Sequence, residues 1–130
     1  MCLYTKRVKT TDAGRLGEAK TIARLTELGW YPFLDLSGKC TIDIIAYKDG
    51  VVKTIQVKTT SVTTPSGKYV VQIGSTRPNR TENIIKKFDV DAQDYLAVYI
   101  IDTDVVVFIP AKEILSGRSL VVESIDNTTL

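Results

Sequence analysis

The sequence predicts one α/β domain, residues 1–130, built on a mixed β-sheet. Three observations point there. A segment from about Asp12 to Leu28 has helical spacing and ends at Gly29. Thr41 to Lys48 (TIDIIAYK) and Val51 to Thr60 (VVKTIQVKTT) flank Asp49-Gly50. Asp-Gly between such runs is a strong hairpin signal, because a type I′ turn needs positive φ at both central residues. Tyr95 to Ile101 and Val105 to Ile109 are strongly apolar runs around Asp102-Thr103-Asp104, and read as strands.

The elements follow in order. Asp12 is placed to cap the helix and Gly29 to stop it. Leu16, Ala19, Ile22, Ala23, Leu25 and Thr26 fall on one broad arc, and Lys20, Arg24 and Glu27 on the other. Glu18 breaks the pattern. Lying between Ile22 and Leu25, it sits inside the apolar arc, where Glu is rare unless paired, hydrogen-bonded or bound to a cation. Tyr31 to Leu34 is a short strand, and Asp35 to Lys39 a turn. After the hairpin, Val62 to Lys68 reads as a loop and Tyr69 to Ile73 as a third long strand. Gly74 to Asp94 is polar and basic with little periodicity. Pro110 opens a short helix, AKEIL, where Pro at a first helical position is tolerated. The tail beyond about residue 118 has one apolar patch, Leu120 to Val122, and is expected to fray or to lie at an interface.

Composition removes several function classes. A chain of 130 residues can bury roughly two-thirds of its unfolded surface. No run approaches the roughly 20 apolar residues of a membrane span, and the N-terminus MCLYTKRVKT is not a secretory signal. Cys2 and Cys40 lack metal-ligand spacing and read as free thiols of a cytoplasmic protein. Histidine is absent, which excludes His-based general bases, serine or cysteine triads and most zinc sites. The net charge of +2 is too small to argue nucleic-acid binding. Its distribution says more: Lys6, Arg7, Lys9 and Arg15 cluster at the front, and Lys68, Arg77, Arg80, Lys86 and Lys87 after the hairpin.

The hairpin carries the chemistry. With Lys48 facing Val51, counting back sets Ile45 opposite Thr54 and Asp43 opposite Gln56. Opposed residues sit roughly 4.5–5.5 Å apart at Cβ and share a face. Lys58 shares it too, two residues on. Ile42, Ile44, Ala46, Ile55 and Val57 occupy the other face as core. A carboxylate, an amide and an ammonium are therefore gathered beside an apolar hairpin. One reading is a metal-dependent phosphodiesterase site, since Mg²⁺ prefers oxygen ligands, often one or two carboxylates plus waters and substrate phosphate. Asp43 would anchor the metal, with Gln56, the backbone carbonyl of Val57 and Glu18 as further ligands or supports. Lys58 would orient or deprotonate the attacking water, or stabilise charge on the phosphate. The plainer alternative is a solvated strand face, with Glu18 at the helix edge or paired with Lys58.

Glu18 on the first helix, Asp43 on the hairpin, then Gln56-Val57-Lys58 on its second strand resembles the PD-(D/E)XK nuclease motif. The basic segment and DYLAVYIIDTDVVVFIPAKEI that follow are similar to the continuation in group I intron-encoded homing endonucleases of this fold from cyanobacteria and their phages. Holliday junction resolvases share the core more distantly. The superfamily's usual acid before x-Lys is Gln56 here, as in the intron-encoded branch, and Ile42 replaces the Pro before Asp43. The resemblance implies a restriction-endonuclease-like core, a mixed β-sheet flanked by helices. It implies a Mg²⁺-dependent endonuclease, with Mn²⁺ able to substitute, that cuts double-stranded DNA at specific sites. Glu18, Asp43, Gln56 and Lys58 would be catalytic. The host would be a bacterial, archaeal or phage-infected cell. A junction resolvase, and a DNA-binding subunit that does not cut, are the alternatives. Ser75, Thr76, Arg77, Asn79 and Arg80, followed by Lys86 and Lys87, offer base and phosphate contacts, and Lys6, Arg7, Lys9 and Arg15 phosphate contacts. One active site per chain makes a homodimer or homotetramer the expected cutting unit, with Val105 to Ile109 and Leu120 to Val122 as candidate interface residues.

Overall fold

The computed structural model describes residues 10–78, 83–115, 117–127 and 130. Its first element is helix α1, Thr10–Glu27. Asp12 therefore lies in the first turn, where a carboxylate favours the positive end of the helix dipole, and is not the cap. The C-terminal end is a Schellman motif. Gly29, at φ +86°, donates its N–H to the Thr26 carbonyl at 3.0 Å, and Trp30 donates to Leu25 at 2.9 Å. Lys48 adds a bond from its ammonium to the Leu28 carbonyl at 3.1 Å.

The face α1 buries differs from the expected arc. Gly17, Thr21 and Leu25 form the buried line, while Ala19, Ala23 and Thr26 are exposed. Small residues stand in that line because the helix crosses the sheet very closely. A Cβ on Gly17 would fall 2.0 Å from Thr59 Oγ1. Thr21 satisfies its buried hydroxyl on the Gly17 carbonyl at 2.7 Å. Glu18 is consequently exposed beside the buried line.

The main sheet has five strands: β1 (Tyr31–Leu34), β2 (Ile44–Lys48), β3 (Val51–Thr60), β8 (Tyr95–Ile100) and β9 (Val105–Pro110), in that spatial order. Only β3 and β8 are parallel. The hairpin register is the expected one, with Lys48 opposite Val51 and Ile45 opposite Thr54. Asp49 (φ 49°) and Gly50 (φ 82°) supply the positive dihedrals of its turn. The parallel pair is clasped at its start: Thr54 N–H donates to Asp94 Oδ2 at 2.9 Å, and Asp94 N–H donates to Thr54 Oγ1 at 2.9 Å.

Alternation along β3 and β8 divides the core. Ile44, Ala46, Ile55, Ala97 and Tyr99 pack under the helix with Leu25 and Trp30. Leu96, Val98 and Ile100 face the other way. That second face is covered by a three-stranded antiparallel sheet. Its strands are β4 (Val62–Thr63), β5 (Tyr69–Gln72) and β10 (Ser119–Val122), in the order β10-β5-β4. Residues 62–63 begin the segment expected to be loop. The polar stretch after Gly74 contains a two-stranded ribbon, β6 (Ser75–Pro78) with β7 (Asn83–Lys86). AKEIL contains a single 3₁₀ turn, Ala111–Glu113.

The described part of the tail, as far as residue 127, packs against the rest of the fold. Val122 is buried against Tyr69 and Val71. Asn127 pairs with the outer edge of β9, accepting from Phe108 N–H and donating to its carbonyl, both at 2.9 Å. Asp126 meets Arg24 of the helix at 3.1 Å. Among the described residues no helix is long and apolar enough to cross a membrane.

The close crossing at Gly17 gives a sharp test. Gly17→Ala, which would stabilise an open helix, should destabilise this one by about 1–3 kcal/mol through overpacking. Thr59→Ala removes the atom in the way and should recover much of that loss, the next contacts being ordinary at 3.4 and 3.5 Å. Urea denaturation of the four proteins of the cycle measures both effects. A rise in stability for Gly17→Ala alone would rule out the tight crossing.

Candidate active site

Pairing between β2 and β3 ends at Ile44 opposite Ile55. Asp43 N–H still reaches the Ile55 carbonyl at 3.0 Å. From there the Asp43 side chain takes over, and Oδ2 accepts the Val57 N–H at 2.7 Å. β3 thus has an open edge beyond Ile55 on this side. The N–H and C=O of one strand residue point to the same side. The Val57 carbonyl therefore faces the same opening as Asp43.

A turn precedes the hairpin, and Asp35 N–H meets the Asp43 carbonyl at 3.5 Å. The Asp35 carboxylate accepts from Ser37 N–H at 2.9 Å, from Ser37 Oγ at 2.7 Å and from Cys40 N–H at 3.0 Å. These bonds, the Cys40 one foremost, hold the Asp35 carboxyl below its ordinary range. The turn-forming Asp35-Leu36-Ser37-Gly38 was legible as such, but its contact with Asp43 was not.

A cleft of about 560 Å³ opens at this edge, lined by Glu18, Asp43, Gln56, Val57 and Lys58. All four expected catalytic side chains are therefore brought together. Gln56 and Lys58 come from the sheet face turned away from α1, and Glu18 arrives over the open edge from the helix side. The buried Glu18 expected from the helical pattern is corrected by its exposure. The idea of a structural Glu18–Lys58 pair is corrected as well: neither Glu18, Asp43 nor Lys58 makes an ion pair within 4.0 Å among the described residues. The cleft wall also contains Lys87, Asp89 and Gln93, of which only Lys87 was expected near a ligand. Gln93 stands in VDAQDYL with no spacing signal to mark it.

The electrostatics suit a cation. The Asp43 carboxyl is held above its ordinary range by burial, against the lowering by the Val57 N–H bond and the Lys58 charge. Glu18 is raised too, by partial desolvation and then by the Asp43 charge, with Arg15 opposing. Gln56 Oε1 is buried without a donor. Two carboxylates, the Gln56 amide and the Val57 carbonyl form an oxygen-rich set that suits a hard divalent cation. Among the described residues no cluster of three His, Cys, Asp or Glu side chains occurs, in keeping with an amide in the third position.

The expected DNA contacts are distributed as follows. Ser75, Thr76, Arg77 and Lys86 lie on the β6–β7 ribbon. Lys87 follows it at the cleft, with its stem against Gly117. Arg15 is exposed on α1. Lys6, Arg7, Lys9, Asn79 and Arg80 lie outside the described residues, as does Cys2. Cys40 is a free, exposed thiol.

A mixed sheet crossed by one helix, with Glu, Asp, Gln and Lys converging where a hairpin strand stops, defines a nuclease of the restriction-endonuclease-like class. The chain belongs to the PD-(D/E)XK endonuclease family, whose model matches residues 8–127. Its fold is similar to that of I-Ssp6803I, a bacterial homing endonuclease, with a TM-score of 0.80 at 21% identity over 92% of this chain and 81% of that one. Among curated protein sequences none matches this chain.

The raised carboxyl of Asp43 has a stability consequence with a definite sign. A carboxyl whose folded pKa exceeds its unfolded one lets the native state bind more protons between the two values. Stability contributed by this group therefore falls as pH rises through that window and stays low above it. Asp43→Asn, which keeps an acceptor for Val57 N–H, should match or exceed the wild-type melting temperature at pH 7 in metal-free buffer. The difference should shrink as pH falls from the raised value to the ordinary carboxylate range. A variant less stable than wild type at pH 7, with the gap closing in acid, would contradict the assignment of burial as the dominant cause.

Proposed function

We propose that this chain is a Mg²⁺-dependent endonuclease that hydrolyses double-stranded DNA at specific sites. The observation that carries the reading is the convergence of Asp43, Gln56, the Val57 carbonyl and Glu18 at one open strand edge beside Lys58. Asp43 and the Val57 carbonyl would hold the cation, with Gln56 and Glu18 as further ligands or as acceptors for its hydration shell. When bound, the cation supplies positive charge to the phosphate and lowers the pKa of water. Mn²⁺, with the same preference for oxygen donors, would substitute.

The chain's own residues do the rest. Asp43 is locked by Val57 N–H, so its free lone pairs keep one direction. Lys58 makes no ion pair within 4.0 Å among the described residues, which leaves its ammonium available to orient the attacking water or to steady charge on the phosphate. The β6–β7 ribbon supports a duplex substrate, because a two-stranded ribbon fits the major groove. Arg77 and Lys86 on the ribbon, with Lys87 at the cleft and Arg15 on α1, would bring the backbone to the site. Asn79, Arg80 and the front cluster Lys6, Arg7 and Lys9 would extend the same contact.

Cutting both strands requires two such clefts, hence a homodimer or homotetramer. Of the interface candidates named from sequence, which core burial explains equally well, Val106, Val107, Phe108 and Val122 are core and Val121 is exposed. Exposed apolar residues gather on β1, β2 and the start of β3, where Tyr31, Phe33, Ile45, Tyr47 and Val52 share one uncovered face. That face is the better candidate for a second copy.

Conversion of supercoiled plasmid and of a four-way junction, with and without Mg²⁺, tests the function. Asp43→Asn and Glu18→Gln should each lower cleavage by about 10²–10³-fold or more, the scale set by groups acting on transition-state charge. DNA affinity should persist in both. Cutting by Asp43→Asn near the wild-type rate would end the site assignment. Binding without cutting by the wild type would place the chain with non-cleaving subunits, and preference for the junction with the resolvases.

Arg77→Ala would separate the two kinds of DNA contact. Loss of a phosphate contact should reduce the log–log salt slope by about one unit across all sequences. Loss of a base contact should cost about 1–3 kcal/mol at one position of the site only. Unchanged affinity at low salt would take the ribbon out of the interface.

A further inference from the structure

Two amide oxygens in the cleft wall lack partners among the described residues: Gln56 Oε1 and Gln93 Oε1, both buried. Gln93 as a whole is only 5% exposed. Its orientation is fixed, because Nε2 donates to the Asp89 carbonyl at 2.8 Å. Turning the Gln93 amide over would set its oxygen against that carbonyl. Gln93 Oε1 is therefore an acceptor held in place and in need of a donor. Gln56 has no such anchor. The two ends of a carboxamide are nearly equal in size, so turning Gln56 about its last torsion preserves the packing. That turn buries Nε2 where Oε1 was and aims Oε1 at the cleft.

We propose that Gln93 is a positioning residue for Gln56. Its Oε1 accepts a hydrogen bond from Gln56 Nε2, and this bond holds the Gln56 oxygen toward the cation. One rotation satisfies both orphaned atoms. It also gives a reason for an amide where the family's usual pattern has an acid. A carboxylate at position 56 has no N–H to offer, and would set a second acceptor against the fixed oxygen of Gln93. The proposal rests on the reading of Gln56 as a residue that serves the cation, yet the pairing itself exists without one and is testable in the metal-free protein.

The experiment uses the full chain, ¹⁵N-labelled and free of metal, with hydrogen exchange of the Gln56 side-chain NH₂ followed by NMR. In the wild type these protons should be protected. Gln93→Leu should speed their exchange by roughly tenfold or more, as for loss of one net hydrogen bond. Gln93→Met removes the acceptor at nearly unchanged length and should speed the exchange likewise, and it serves if the leucine variant does not fold. A Gln93 that only braces the Asp89 carbonyl would change the melting temperature and leave Gln56 exchange alone. A mutant cycle supplies the second arm. Gln56→Glu should lower the melting temperature in the wild type, and by clearly less in the Gln93→Leu background. Unchanged Gln56 exchange in Gln93→Leu, or strictly additive melting shifts, overturns the pairing. Mn²⁺ titration of wild type against Asp43→Asn keeps the two readings apart. Equal Mn²⁺ binding by both would remove the cation site, and the Gln93-directed role toward it, while protected Gln56 protons would still establish the bond.

Discussion

The site depends on one hydrogen bond, from Val57 N–H to Asp43 Oδ2. An antiparallel ladder that continued past Ile44 would cover β3 with backbone and leave no cleft. A ladder that simply stopped would leave the Val57 N–H without a partner in a half-buried place. Asp43 resolves this by substituting a side-chain oxygen for the missing backbone carbonyl. Only one of its lone pairs is used, so the carboxylate is fixed and still available. The same substitution turns the Val57 carbonyl toward open space. Structure and chemistry thus use the same atoms. This is why Asp43→Asn is a cleaner probe than Asp43→Ala, which would orphan the amide as well as remove the charge.

The second constraint is how closely α1 approaches β3. Glu18 can reach the open edge only because its neighbour Gly17 has no Cβ to hold the helix away from Thr59. The Thr59 hydroxyl donates to the Ala13 carbonyl at 3.2 Å and ties the two together. At the far end, Lys48 closes the helix carbonyls and stands over the Trp30 ring at 5.7 Å. The helix is therefore fixed at both ends against the hairpin that carries Asp43 and Lys58. Its position along the sheet, and with it the placement of Glu18, is set by packing and not by any contact within the cleft.

These two constraints explain what could be read from sequence. The hairpin register was legible because an Asp-Gly turn and a period of two leave a single alignment, and that alignment placed Asp43, Gln56 and Lys58 together. The helix was legible in extent but not in face. Its buried line is Gly17-Thr21-Leu25, small and partly polar, and a hydrophobicity pattern cannot see a contact whose requirement is the absence of bulk. Glu18 was singled out for the wrong reason: it lies beside the buried line, not within it. The β6–β7 ribbon was missed because Ser75–Pro78 is a polar run ending in proline and shows no apolar alternation. Gln93 had no signal at all, since its burial follows from how residues 87–93 fold back over the second face.

Charge closes the argument. Asp43 already raises the Glu18 carboxyl, and Asp35 adds to the raising of Asp43. A third carboxylate at position 56 would push these groups further up whenever no cation is bound, and would lower the stability of the empty fold. A neutral amide avoids that repulsion while keeping an oxygen for the site. Its disadvantage is a weaker pull on the cation, because each carboxylate removed takes a full charge from the set. The arrangement would favour a fold that holds together without metal, and the proposed cation would be held less tightly than by three carboxylates. Lys58 fits the same balance: its charge lowers the Asp43 carboxyl and so offsets part of the negative charge at the site.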